Sequence, residues 1–212
     1  MRTDDVLTLT QWLSPAFPVG AFAYSHGLEA AFEAGWVTDA ESLKAWITDL
    51  LTLGSANTDA HFMAAAALHT RKLSEVDGIA RAFAPCRERL SEACAQGKAF
   101  CDTVSAVWSK ELDGLTYPVA LGHAVHEEGL PLDLAITLYL QAFVTNLVAN
   151  AQRLGPIGQT EAQQVIRDLA PLIEETAREA ADGELTHIAS NAFLSDIAAM
   201  KHETQYSRMF RS

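Results

Sequence analysis

The 212-residue sequence predicts a single all-α domain spanning residues 1–212, and three observations carry that reading. Nearly every segment repeats its apolar residues at the 3.6-residue period of a helix. No run alternates apolar and polar residues as a strand between hairpin turns would. Short turns bearing Gly or Pro recur without a low-complexity linker or a repeat, dividing the chain into about nine or ten helices. An apolar share of 49% is ample for one core.

Each element has its own signal. Residues 5–13 form a short first helix, closed by Ser14-Pro15, and residues 24–34 form a second, stopped by Gly35. Thr38-Asp39-Ala40-Glu41 has capping-box spacing and opens a helix to about Leu53. Asn57 caps the next, which runs to Lys72 and offers Ala64, Ala65, Ala66 and Ala67 for close packing. Residues 74–84 are helical, and Pro85 then opens a long helix to about Trp108. Pro118 and Pro131 mark two more starts. The longest apolar stretch, 134–151, contains Gln141, Asn146 and Asn150, which suits a core helix better than a membrane span. Thr160-Glu161-Ala162-Gln163 repeats the capping-box spacing before a helix to about Ala181, and the last helix covers 193–202.

Composition narrows the function. A formal net charge of −12 argues against nucleic acid, whose phosphates are held by clustered Lys and Arg. Cys86, Cys94 and Cys101 lack CxxC spacing and are an odd number, so they read as small buried residues rather than a disulfide framework. The first 23 residues end in Ala21-Phe22-Ala23 like a signal peptide, but Asp4 and Asp5 spoil a basic start and Pro15 and Pro18 break the apolar part. The expectation is a soluble cytoplasmic chain with no membrane segment.

Catalytic signatures are missing. The only Gly-Lys pair, Gly97-Lys98, is followed by Ala99, so there is no nucleotide-binding P-loop. His202-Glu203 begins like a zinc-protease motif, but Tyr206 stands where the second His belongs. His123 and His126 share a helical face at ligand spacing, without a third ligand implied by position. Two rival readings stay open: an all-α metal-dependent hydrolase using His123 and His126, and, as a variant of what the family resemblance given below implies, a direct nickel carrier. For the carrier, scattered His and the same-side cysteines permit weak binding, but no Cys/His cluster at ligand spacing argues for it.

What remains is surface. The stretch 14–25 packs two Pro, one Gly, two Phe and a Tyr between helices, as either a rigid recognition loop or a plug of the core. The last thirteen residues hold three Lys/Arg against one acidic residue and carry Tyr206, Met209 and Phe210. They are either a docking segment or a last helix folded back on its own core.

Three segments together resemble a known family. Ser14-Pro-x-x-Pro18-x-Gly20-x-Phe22-x-Tyr24-Ser25, Pro156-x-Gly158-Gln159 and His202-Glu203-x-Gln205-Tyr206-Ser207-Arg208-x-Phe210-Arg211-Ser212 are similar, in order and spacing, to the urease accessory protein UreF. Ala162-Gln163 stands where the family usually has Gly-Gln. The resemblance implies an all-helical, non-enzymatic assembly factor without a cofactor or resident metal. It would bridge UreD (also called UreH) to the GTPase UreG, form a homodimer within that assembly, regulate the GTPase and help deliver nickel to apo-urease. Residues 202–212 are then expected to be loose alone and to order on UreD through His202, Glu203, Tyr206, Arg208, Phe210 and Arg211. The loop residues Pro15, Pro18, Phe22, Tyr24 and Ser25 are expected to recruit UreG.

Overall fold

The computed structural model describes residues 2–110, 112, 114–186 and 188–212. Ten α-helices are formed by the described residues: α1 Thr3–Trp12, α2 Leu28–Glu33, α3 Ala40–Thr52, α4 Ser55–Leu68, α5 Leu73–Ala82, α6 Arg87–Trp108, α7 Tyr117–Glu127, α8 Leu132–Leu154, α9 Gln159–Ala180 and α10 Phe193–His202. A 3₁₀ turn, Ala21–Ala23, interrupts the first loop. No described residue lies in a strand, and the all-α expectation holds.

The helix α4 is central because it is apolar all round: Ala60, Met63, Ala64 and Ala67 face the main core, while Phe62, Ala65 and Ala66 face a smaller cluster with Val76, Val119 and Leu185. Around it lie α7, α8, α3, α5 and α9. The approach of α7 is set by Gly122, where a Cβ would stand 2.1 Å from the carbonyl oxygen of Met63. On α9 the buried residues Ala162, Val165, Leu169, Ile173, Ala177 and Ala180 form one stripe at helical spacing. Pro171 lies inside that helix on its exposed side. The uncharged stretch of α8 crosses the core, with Ile136, Leu140, Val144, Leu147 and Ala151 fully or almost fully buried.

Several boundaries differ from the sequence expectation for identifiable reasons. The second helix starts at Leu28 rather than residue 24, because His26 and Gly27 are both left-handed, at φ 55° and 77°. Asp39, not Thr38, caps α3: its carboxylate accepts from Ser42 N–H at 2.9 Å, and Ser42 Oγ accepts from Asp39 N–H at 3.1 Å. Asn57 lies inside α4, which begins at Ser55 behind Gly54 and stops at Leu68, with His69 left-handed as its C-cap. At α9 the reach-back comes from Glu161, which accepts from Gly158 N–H at 2.9 Å, so the helix starts at Gln159. Pro118 and Pro131 stand at helix starts as expected.

Candidate functional site

The loop and the tail meet in space. After the left-handed Gly20 and the 3₁₀ turn, the backbone passes Tyr24 in extended form and is held from α8. Asn150 and Asn146 donate to Tyr24 O at 2.8 and 3.4 Å, and Arg153 donates to Phe22 O at 3.3 Å. Ser25 then donates through both its N–H and its Oγ to the main-chain oxygen of Ser212, at 2.7 and 2.5 Å. The next turn carries Gly27, where a Cβ would come within 2.6 Å of Ala199 N. That absence of a side chain lets α10 lie directly on α2.

Three carboxylates gather the basic tail. Glu29 on α2 accepts from the backbone N–H groups of Met209 and Phe210 at 2.7 and 2.9 Å. Glu88 on α6 accepts from Arg208 Nη1 at 2.6 Å, and the fully buried His202 bridges Glu88 and Glu29 at 2.7 and 3.3 Å. Glu92, one turn further along α6, accepts from Ser212 Oγ at 2.5 Å. Arg211 N–H donates to Ala23 O at 2.8 Å, and the guanidinium of Arg153 sits 4.5 Å from the Phe210 ring centroid. Glu203 turns back to accept from Glu88 N–H at 3.0 Å, placing a carboxylate on the N-terminal turn of α6.

Beneath this latch lies a cavity of about 580 Å³ with apolar walls, including Trp12, Phe17 and Phe143, and a charged floor of His26, Asp59, Arg89 and Glu92. His26 Nε2 stands 3.0 Å from Glu92 Oε1, Gln96 donates to that oxygen at 2.9 Å, and Arg89 pairs with Glu92 Oε2. Burial alone would push Glu92 up, but the charges of Arg89 and His26 and their hydrogen bonds outweigh it and hold the carboxyl at about 2. Asp59 has no ion-pair contact among the described residues. Burial pushes it up to about 6 despite Arg89 and a 2.8 Å hydrogen bond from Tyr139 Oη. Burial and the charge of Arg89 lower the pKa of His26, against the pull of Glu92.

The structure thus brings together the loop and the tail, and the Pro156 turn joins them. Tyr206 and Gln205 line a cleft of about 570 Å³ with Leu154, Gly155, Pro156, Phe32 and Val37. The predicted site residues separate into two groups. His202, Phe210, Tyr24 and Ser25 are buried, and Glu203 is half-buried. Tyr206, Arg208, Arg211, Pro15, Pro18 and Phe22 are exposed. The tail is packed rather than loose, and its inner side chains belong to the fold.

Sequence reasoning missed the partners of the tail and the outer face of α10. Glu29, Glu88 and Glu92 lie far from residues 202–212 in sequence, and only the opposite charge hinted at the pairing. On α10, Ser195, Ala198, Ala199 and His202 face inward at helical spacing, while Phe193, Leu194, Ile197 and Met200 are exposed. The larger apolar side chains point away from the core. His123 and His126 lie apart from this site, on α7; of the three cysteines expected to be buried only Cys101 is, while Cys86 and Cys94 are half-buried.

The UreF family model matches residues 37–170. Relatives extend the match across the loop and the tail as well. The urease accessory protein UreF of Ruegeria pomeroyi is 54% identical over 209 residues, covering 98% of this chain and 96% of that protein. The UreF protein of Roseobacter denitrificans is 50% identical, covering 100% and 96%, and that of a Bradyrhizobium species is 42% identical, covering 96% and 90%. At half identity over nearly full length, and with loop, Pro turn and tail assembled at one place, the chain belongs to the UreF family of urease accessory proteins.

Proposed function

We propose that this chain is a non-enzymatic cytoplasmic scaffold in urease maturation, bridging a UreD/UreH-type protein and the GTPase UreG during nickel insertion into apo-urease. Homodimerisation within that assembly and regulation of the GTPase belong to the same reading. The observation that carries it is the two-sided C-terminal segment. Its inner side is locked to the body by Glu29, Glu88 and Glu92, while its outer side presents Phe193, Leu194, Ile197, Met200, Tyr206 and Met209 to solvent. Large apolar groups held outward on an ordered frame are pre-organised for a partner and lose little freedom on binding. We assign this face to the UreD/UreH-type protein, with the exposed guanidiniums of Arg208 and Arg211 at its edge. The exposed Phe22, Pro15 and Pro18 of the first loop are assigned to UreG, with buried Tyr24 and Ser25 holding that loop in shape.

The test is a double substitution, Ile197→Glu with Met200→Glu, in a co-purification assay with the UreD/UreH-type partner. Both side chains are exposed, so the helical circular dichroism should be unchanged. Affinity should fall at least about tenfold, as for loss of buried apolar anchors. Wild-type recovery of the partner would overturn the assignment.

A further inference from the structure

The fold brings a third imidazole to the pair seen in the sequence. His69, the left-handed C-cap of α4, stacks on His126 of α7 with ring centroids 3.9 Å apart and lies 5.8 Å from the ring of His123. We propose that His69, His123 and His126 form a surface site for one borderline divalent transition-metal ion, of the Zn²⁺, Ni²⁺ or Cu²⁺ class. The site is independent of the partner-docking face.

Four features support it. First, the rings are gathered within reach of one ion: three imidazoles on a tetrahedral ion, each with nitrogen about 2.0–2.1 Å from the metal, have centroids roughly 5 Å apart, and here His69 stands 3.9 Å from His126 in a stack and 5.8 Å from His123, so small ring rotations separate the two arrangements. Second, one tautomer is already set. His126 Nδ1 lies 2.8 Å from the carbonyl of Ala67, which can only accept, so Nδ1 carries the proton and Nε2 keeps its lone pair for a metal. Third, His123 Nδ1 is buried without a hydrogen-bond partner among the described residues. Fourth, the cluster sits at the C-terminal end of α4, where the helix dipole is negative, on a chain of net charge −12.

As placed, the imidazoles stack rather than converge, and among the described residues no three His, Cys, Asp or Glu side chains share a coordination point. Closing the site needs the exposed ring of His69 to turn out of its stack, a rotamer change and not a backbone one. The backbones are fixed by the close contact of Gly122 with Met63. Imidazole ligands select borderline cations over Mg²⁺ or Ca²⁺.

The experiment is calorimetric titration of the untagged, chelator-stripped full chain with Zn²⁺, Ni²⁺ and Cu²⁺. Saturable binding of about one ion per chain is expected, with Mg²⁺ silent. His69→Ala or His126→Ala should weaken it at least about tenfold. The triple variant His69→Ala/His123→Ala/His126→Ala should abolish it, while His61→Ala, outside the cluster, should not change it. Imidazole ¹⁵N spectra with Zn²⁺ provide a readout that needs no variant: the resonances of His69, His123 and His126 should move together. No saturable binding, stoichiometric binding that survives the triple variant, or shifts confined to other histidines would each overturn the proposal.

Discussion

Ser25 and Ser212, 187 positions apart, are joined by two hydrogen bonds, since the N–H and Oγ of Ser25 both donate to the main-chain oxygen of Ser212. Both residues are almost wholly buried, so this link closes the first loop against the tail away from water. The Ser25 hydroxyl also accepts from Glu29 N–H at 3.3 Å, tying the link to the carboxylate that holds Met209 and Phe210.

Ser25→Ala should therefore cost about 1–3 kcal/mol, the penalty for leaving buried polar groups unpaired. Urea denaturation measures the loss. Limited trypsin digestion should show faster cleavage at Arg208 and Arg211, and unchanged digestion would mean that the tail is seated without this link.

Asp59 makes stability fall with rising pH. Its carboxyl is pushed from 3.8 to about 6 in the folded chain. Below about pH 4 it is protonated in both states and adds no penalty. As pH rises through about 6, the folded state must carry a buried charge, at a cost of at most about 3 kcal/mol. Asp59→Asn keeps an acceptor for Tyr139 and should remove this loss, so its advantage over the wild type grows between pH 4 and 6.5 in chemical melts.

Glu92 acts in the opposite direction. Held at about 2, it contributes stability above its ordinary value of 4.5 that is lost as pH falls towards 2. Glu92→Gln should flatten that acid limb. At neutral pH it should cost about 3–5 kcal/mol, because the buried Arg89 loses the carboxylate it is hydrogen-bonded to.

Phe22→Ala and Tyr24→Ala should differ in kind. Phe22 is 65% exposed, so its truncation should reduce UreG recruitment in a pull-down while thermal stability stays within about 0.5 kcal/mol of the wild type. Tyr24 is buried, so its truncation should lower stability by about 3 kcal/mol or more. Equal UreG recruitment by Phe22→Ala and wild type would remove the loop from that partner's surface.

The sequence reveals the helices well where a residue acts locally. Pro118 and Pro131 place helix starts correctly because a missing N–H costs nothing in a first turn. Thr38 and Asp39 can both cap, and only the reply from Ser42 decides between them. Gly27 was the signal that the second helix could not begin at residue 24, and its meaning depends on α10 lying against it. At the candidate site the tail's basic and aromatic character is legible, but its direction is not. Glu29, Glu88 and Glu92 become its partners only after two helices are packed, and His69 joins His123 and His126 only through the α4–α7 contact.

The final residues alternate: Phe210 and Ser212 turn inward, while Met209 and Arg211 turn outward. Three successive main-chain N–H groups, of residues 209, 210 and 211, are the donors that seat this stretch. The body therefore grips positions 209 and 211 by their backbone and leaves their side chains unread. Those two positions can change identity without unseating the segment, provided neither becomes proline, which has no N–H to give. Partner preference can drift there at little cost to the fold.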